Sequence, residues 1–363
     1  MEILGPNTLR MALDIAIVLA AMSLLVLAAI VAVRLRAQSE AHRVAVLRRE
    51  AEPLITAYLA GREKPGNVVA ALQRDPAHAL LLLMEISDRL EPEARTPLRP
   101  LFASLPLREK EISALGSRHW ERRLQAAERI GYLGDGVSVP ALLDALQDPV
   151  LAVRFAAARS LAAMGETRTI PQIVLAFDLP GEMNQRRVAE TLYDFGAPGT
   201  EQLLAVLRNS DGVYSDNGVG VAARVLGMLR APGAVEPLKA MLAHPDFRAR
   251  LTAVRALGTI GDHTAAEDVA RLANDQAWEV RNTVMQALGK MKSERHIGKL
   301  TDALRDESWW VRFSAAQALW ELGAAGRQTL TAAMTGDTDR YARDMSRQIL
   351  EEHGATAPTE AHA

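Results

Sequence analysis

The sequence predicts an all-α fold, an α-solenoid of about eight helix pairs preceded by one transmembrane helix. Three observations carry this expectation. An arginine recurs every 31 residues, from Arg123 to Arg154 and again through Arg250, Arg281, Arg312 and Arg343. Apolar residues recur around each of these arginines at helical steps. Residues 15–33 hold no charged side chain at all. A fixed period of roughly 20–50 residues marks a stacked array whose units cannot fold singly.

Residues 1–10 read as a short tail and residues 11–33 as the membrane helix. The 19 uncharged residues of 15–33 span about 28 Å as a helix, enough for a hydrocarbon core of ~30 Å. Basic residues follow the run, at Arg34, Arg36, Arg43, Arg48 and Arg49, whereas Glu2, Arg10 and Asp14 lie before or at its start. A cleaved signal peptide would have its basic residues in front. The charge bias instead predicts a single-pass anchor in the inner (cytoplasmic) membrane, with the solenoid in the cytoplasm. Ala12, Ala16 and Ala20 have small-residue spacing that can pack one membrane helix on another.

Residues 34–104 read as a juxtamembrane helix and an irregular helical cap. The charged stretch 34–52 leaves the bilayer as a helix. Short helices are expected from Pro53 to Ser104, broken near Gly61, Pro65, Pro76, Pro92 and Pro97. The apolar stretch 77–86 is too short to cross a membrane and is expected to be a buried helix.

Residues 105–354 form the solenoid. With the arginine as position zero, small residues stand at plus three and four, as in Ala126 and Ala127 or Ala315 and Ala316. Aliphatic residues follow at plus seven and apolar ones at plus ten, such as Leu161 with Met164. These steps lie on one face of a helix, with alanines where a neighbour must come close. Glycine at plus eleven (Gly134, Gly165, Gly261, Gly323, Gly354) ends the helix. An aspartate six places before the next arginine closes the unit, at Asp148, Asp275, Asp306 and Asp337. A repeated Arg and Asp is expected to be structural, because catalysis needs a group once. Two units are degenerate: Gln185 replaces the arginine in one, and Val219 holds that place in another, three residues late. Residues 355–363 are expected to be a disordered tail.

The pattern D-x(5)-R-x(2)-A-A-x(2)-L-G-x-(I/L)-G-D, matched closely by residues 148–166 and 306–323, resembles the HEAT repeat family, in the short form also found in phycobilin lyases. The resemblance covers about two thirds of the chain. It implies a helical scaffold and says little about activity.

A formal net charge of −2 over 363 residues gives no global attraction to nucleic acid. The absence of cysteine excludes disulfides and thiolate metal sites. The eight histidines lack ligand spacing and read as scattered surface residues, so no metal is expected. The stretch 218–223 fits a loose G-x-G-x-x-A fingerprint, but no strand precedes it, and it reads as a loop and helix start. Asp211, Asp216 and Asn217 do not have calcium-loop spacing and read as part of a flexible insertion. No catalytic group and no cofactor is expected, and the chain is read as a non-enzyme.

What varies from unit to unit is the set of residues around the arginine. Three places before it stand Trp120, Phe247, Trp278 and Trp309, with Trp310 beside the last. One place after it come Asn282 and Phe313; five places after it come Arg159, Arg224, Arg255, Gln286 and Gln317. The resemblance implies that these positions of the second helix face the concave side. Exposed aromatics with arginine are common anchors at protein interfaces. Arg159, Arg224, Arg255, Trp278, Asn282, Gln286, Trp309, Trp310, Phe313 and Gln317 are therefore the expected partner-binding residues. The opposing view is that tryptophan at a helix start only packs between units.

The expected function is a membrane-anchored scaffold that holds a protein partner, itself membrane-associated, and no nucleic acid. The anchor-plus-repeats layout resembles proteins that accompany membrane glycosyltransferases in exopolysaccharide production. The competing expectations are a chromophore-handling protein of the phycobilin lyase kind and a HEAT-like DNA glycosylase. The second would want a basic excess that this chain does not have.

Overall fold

The computed structural model describes the backbone of residues 6–134, 136–178 and 181–354. Every regular element among the described residues is helical. The chain divides into two compact units, one of Met1–Ser113 with Tyr132–Gly134 and one of Ala114–Gly131 with Asp135–Ala363.

The first unit contains α1 (Pro6–Leu59), α2 (Pro65–Leu72), α3 (Pro76–Asp88) and α4 (Arg99–Ala103). Helix α1 runs for 54 residues and continues through Pro53, so the short helices begin only after Gly61, whose φ is 69°. Pro65 and Pro76 each open a helix at a position whose N–H would be unpaired anyway. Asp75 caps α3 by accepting from the His78 N–H and holds the His78 ring through Nδ1 at 2.8 Å. The apolar stretch of α3 is buried as expected. Leu80, Leu82 and Leu83 pack with Ile55 of α1, Leu72 of α2 and Phe102 of α4.

The expected membrane span falls largely on residues whose side chains lie outside those described. A crossing helix needs about 20 consecutive apolar residues. Among the described residues no helix is long and apolar enough to cross a membrane. The assignment to the inner membrane with a cytoplasmic solenoid is corrected on this ground. The expected tail after Gly354 lies outside the described residues, as do residues 1–5.

Helix α5 (Arg108–Ala114) bridges the boundary, and α6 (Trp120–Leu133) begins the second unit. Helix pairs follow in order: α7 (Val139–Ala145) with α8 (Leu151–Met164), then α9 (Ile170–Ala176) with α10 (Glu182–Tyr193). Next come α11 (Thr200–Arg208) with α12 (Asp216–Met228), and α13 (Val235–Met241) with α14 (Phe247–Ile260). The last are α15 (Ala266–Ala270) with α16 (Trp278–Lys290), α17 (Ile297–Ala303) with α18 (Trp309–Glu321), and α19 (Ala324–Gly336) with α20 (Arg340–Glu352). The stretch 218–223 lies in the first turns of α12, the helix start expected of it, with the loop ending before Asp216.

Two backbone positions set the geometry of the unit. At plus eleven the chain turns left-handed, with φ of 75°, 79° and 75° at Gly165, Gly261 and Gly323. Arg230 and Lys292 occupy the same register and take φ of 50° and 48° without being glycine. The turn is thus demanded by the fold, whichever residue is present. At plus eight, Gly131, Gly227, Gly258 and Gly289 bring successive second helices into backbone contact. A Cβ on Gly258 would lie 2.7 Å from Ala287 Cβ and 2.9 Å from its Cα. This is a closer approach than the alanines at plus three and four suggest from sequence. In α18 the same register holds Trp320, whose ring packs on His353 at 4.6 Å and under Arg327 at 4.8 Å.

Candidate functional site

The recurrent arginines form a ladder of seams. Arg123 donates to both oxygens of Asp148 at 2.6 and 2.9 Å. Arg250 does the same to Asp275 at 2.7 and 2.8 Å, and Arg281 to Asp306 at 2.7 and 2.9 Å. Such two-pronged pairs combine charge with fixed geometry. The third guanidinium nitrogen reaches back to a carbonyl six places earlier, Ser117, His244 or Asp275. Each aspartate also accepts from the N–H two places on, at Val150, Ala277 or Ser308. Burial pushes the Asp148 and Asp275 carboxyls up. Their arginines and these N–H groups outweigh it and hold both below the usual carboxylate range. The seam has its partners, so the arginines are structural groups.

The ladder is not uniform. Arg154 donates to the Ala176 carbonyl at 3.0 Å and lies 5.7 Å from the Phe177 ring centre. Gln185 replaces arginine and donates to Asn217 Oδ1 at 2.8 Å. Arg312 keeps its backbone carbonyl contacts but stacks over Tyr341 at 4.7 Å.

The expected binding residues all lie on second helices. Arg159 of α8 is exposed and pairs with Glu128 of α6 at 3.1 Å. Half-buried Arg224 of α12 and exposed Arg255 of α14 line one small cleft of about 60 Å³, together with Gly227, Met228, Thr252 and Thr259. Asn282 and Gln286 of α16 meet at a side chain that sequence reading missed. Ser314 of α18 donates to Asn282 Oδ1 at 2.7 Å and accepts from Gln286 Nε2 at 3.2 Å. Only its place two residues after Arg312, on the varying face, could have drawn attention to it. Gln317 is half-buried on the same helix.

The aromatic residues divide. Trp309 stacks on Phe313 with ring centres 5.1 Å apart and planes inclined by 14°. Trp310 meets Trp309 edge-on at 4.8 Å. Trp309 and Trp310 remain 42% and 57% exposed. Trp278 begins α16 and is 39% exposed, but it does not join the ring cluster of α18.

Two expectations about polar groups need revision. His296 is buried, not a surface residue: Ser293 lies 2.7 Å from its Nδ1 and Glu267 is 3.1 Å from its Nε2. Although this order resembles a nucleophile, base and acid, Ser293 sits one turn from His296 where a short helix begins. In the stretch 209–218, the Asn209 side chain pairs with both the N–H and the C=O of Tyr214, at 3.0 and 2.8 Å. Among the described residues no group of three or more ligating side chains gathers as a metal site.

A family model of HEAT repeats matches residues 109–192, 214–288 and 269–351. No curated protein matches the chain. Among solved structures, the complex of CpcE and CpcF of phycocyanin lyase from Nostoc sp. PCC7120 is 18% identical, with a TM-score of 0.30 over 68% of this chain and 94% of that one. Human deoxyhypusine hydroxylase is 20% identical, with a TM-score of 0.30 over 76% and 97%. The karyopherin Kap121p bound to RanGTP is 12% identical, with a TM-score of 0.49; 87% of this chain matches 43% of that one. These scores carry no argument about activity. The matched repeats extend over more than half of the chain, which therefore belongs to the HEAT repeat family.

Proposed function

We propose that this HEAT-repeat protein is a protein-interaction scaffold and not an enzyme, and that it holds its partner on the face formed by the second helices of α12 to α18. The observation that carries this reading is the aromatic cluster of α18, in which Trp309 and Trp310 are exposed and stand against half-buried Phe313. Solvent-facing tryptophan on a rigid helix loses little side-chain freedom on binding and buries a large apolar area, the combination found in interface anchors. Asn282, Gln286 and Gln317 border the cluster and supply the polar rim. Arg224 and Arg255 extend the face towards α12. Trp278 offers a second, separate ring, while Arg159 shapes the face through Glu128. The suggested link to exopolysaccharide production rested on the anchor-plus-repeats layout and is set aside with the anchor.

The test uses the full chain, immobilised, with proteins retained from a cell extract quantified for wild type and Trp309→Ala. The substitution is expected to weaken retention by at least about tenfold and to leave the melting temperature nearly unchanged. A lowered melting temperature with undiminished retention would assign the ring to packing instead.

A further inference from the structure

We infer that the partner segment held at the joint of α16 and α18 is basic, and that one of its arginines stacks on the Trp310 ring and pairs with the Glu307 carboxylate. The inference rests on the interaction reading above and specifies the chemistry of what is bound. Its ground is charge complementarity at one joint of the array, together with how the chain treats its own aromatic rings.

The second unit covers ring after ring with its own arginines. Arg187 lies 4.1 Å from the Phe155 ring centre, Arg327 4.8 Å from that of Trp320 and Arg312 4.7 Å from that of Tyr341. Arg154 and Arg248 stand 5.7 and 5.8 Å from Phe177 and Phe247. A guanidinium is planar and weakly hydrated, so it gives up little water to lie on a π-face that attracts its charge. Among the described residues no cation of the chain covers Trp278, Trp309 or Trp310. Trp310 is the most exposed of these three.

The side of α18 on which Trp310 stands follows from its neighbours. Ser314, one turn later, donates to Asn282 of α16, and residues four apart share a helix face. Trp310 therefore stands on the α16 side of α18. By the same argument Trp278, one turn before Asn282, stands on the α18 side of α16. Glu307, just ahead of α18, reaches the same joint: its Oε1 accepts from Arg281 of α16 at 3.1 Å. Two rings and a carboxylate thus border one joint between second helices.

The charge left over there is negative. Among the described residues Arg123 and Arg250 each bond one carboxylate, Asp148 or Asp275. Arg281 bonds two, Asp306 and Glu307. Asp306 takes two of its guanidinium nitrogens; Glu307 only shares one of these, and its side chain stays 86% exposed. A carboxylate in excess, open to solvent and beside uncovered rings, suits a cation. A partner's guanidinium uses both features at once, its face on the indole and its N–H fork on the carboxylate. An acidic segment or a nucleic-acid strand is repelled instead. Glu279 supplies the contrast: it holds the place of Trp310 in the preceding unit, on the α14 side of α16.

The experiment measures fluorescence anisotropy of labelled twelve-residue peptides with the full chain. One peptide carries Arg at every third position among Ser and Leu, so that an arginine meets the joint in any register. A second replaces each Arg by citrulline, which keeps the shape and removes the charge. The Arg peptide is expected to bind at least about tenfold more tightly. Glu307→Gln and Trp310→Leu are each expected to remove most of that difference, whereas Glu279→Gln leaves it in place. Because leucine keeps apolar area at position 310, that loss reports the ring face. Failure of the Arg peptide to bind overturns the inference, as does binding that ignores the citrulline exchange. An equal loss in Glu279→Gln also overturns it, since the attraction would then be to net charge alone. So does a dimer that Trp310→Leu dissociates, because the rings would then cover a second copy. The variants also separate this inference from the interaction reading itself. If Trp309→Ala abolishes retention of extract proteins while Glu307→Gln does not, the basic assignment fails and the face remains. If neither changes retention, the face itself is wrong.

Discussion

Arg305 grips Asp337 through two hydrogen bonds, at 3.1 and 2.6 Å, in the place where the 31-residue period would put Arg312. The exchange has a local cause. Seven places before the repeat arginine, other units carry Gln147, Ala243 and Asn274, none of which is a cation. The unit before Arg312 carries Arg305, which competes for the same carboxylate. Arg312 then turns onto the Tyr341 ring, a surface that suits a flat guanidinium.

This competition makes the seams unequal in how they tolerate loss. Arg281→Ala is expected to lower stability by ~1–3 kcal/mol, because largely covered Asp306, 12% exposed at its side chain, is left without its charged partner. Arg305→Ala should cost less, since Arg312 stands ready to take Asp337. The double variant Arg305→Ala/Arg312→Ala should then cost more than the sum of the two singles. Chemical denaturation of the four proteins measures this, and additive losses would show that Arg312 does not substitute.

Lys292 and Arg230 hold a left-handed turn that costs a residue with a Cβ, and both are exposed. Lys292→Gly is expected to raise stability by about 0.5–1 kcal/mol, the relief of strain exceeding the added freedom of the unfolded chain. Thermal melting of Lys292→Gly and Arg230→Gly checks this. A drop in both would mean that the side chains contribute more than their backbone costs.

The glycines at plus eight should behave in the opposite sense to a glycine in open space. Gly258→Ala forces a methyl group against the backbone of Ala287 and is expected to cost about 1–3 kcal/mol, as overpacking does. Gly220→Ala, also within a helix but with nothing within 4 Å of the new Cβ, should gain about 0.5–1 kcal/mol from helix propensity. Equal effects at the two sites would contradict the close approach of α14 and α16.

Acid should loosen the seams. Asp148, Asp275 and Asp337 all have carboxyls held below the usual range; burial opposes this, and the paired arginines and nearby N–H groups outweigh it. The unfolded chain takes up these protons at a higher pH than the folded one. Their contribution is therefore fully present above the unfolded value of about 3.9 and is lost as pH falls through the lower folded values. Melting temperatures measured from pH 6 down to about pH 3 should fall, and Asp275→Asn should make that fall shallower. An unchanged slope in the variant would remove Asp275 from the group that controls it.

The helix pairs were legible because burial imposes steps of three and four on any helix that stacks, and the period repeats that signature many times over. The helix ends were legible at Gly165 and Gly261, where the residue itself reports the turn. They were not at Lys292, where backbone geometry overrides residue preference. The tight contact of Gly258 with Ala287 escaped notice because a missing side chain leaves no periodic trace. The candidate face was read in outline from Trp309 and Phe313, whose place before and after Arg312 puts them on one side of α18. Ser314 between Asn282 and Gln286, and the pairing of Arg159 with Glu128, depend on which helix lies beside which. A spacing of 31 or 32 residues in one sequence, without contacts, does not reveal that.

Because each unit touches only its neighbours, the array is as cooperative as its weakest joint. The charged rungs run without interruption from Arg250 through Asp275 and Arg281 to Asp306. Between α8 and α12 they give way to a carbonyl contact at Arg154 and a neutral amide pair at Gln185. Heat or mechanical load will therefore part the protein there first. The length from α14 to α18 stays intact as one rigid plate after the section before it has frayed, and it carries Arg255 and the whole tryptophan cluster on its surface.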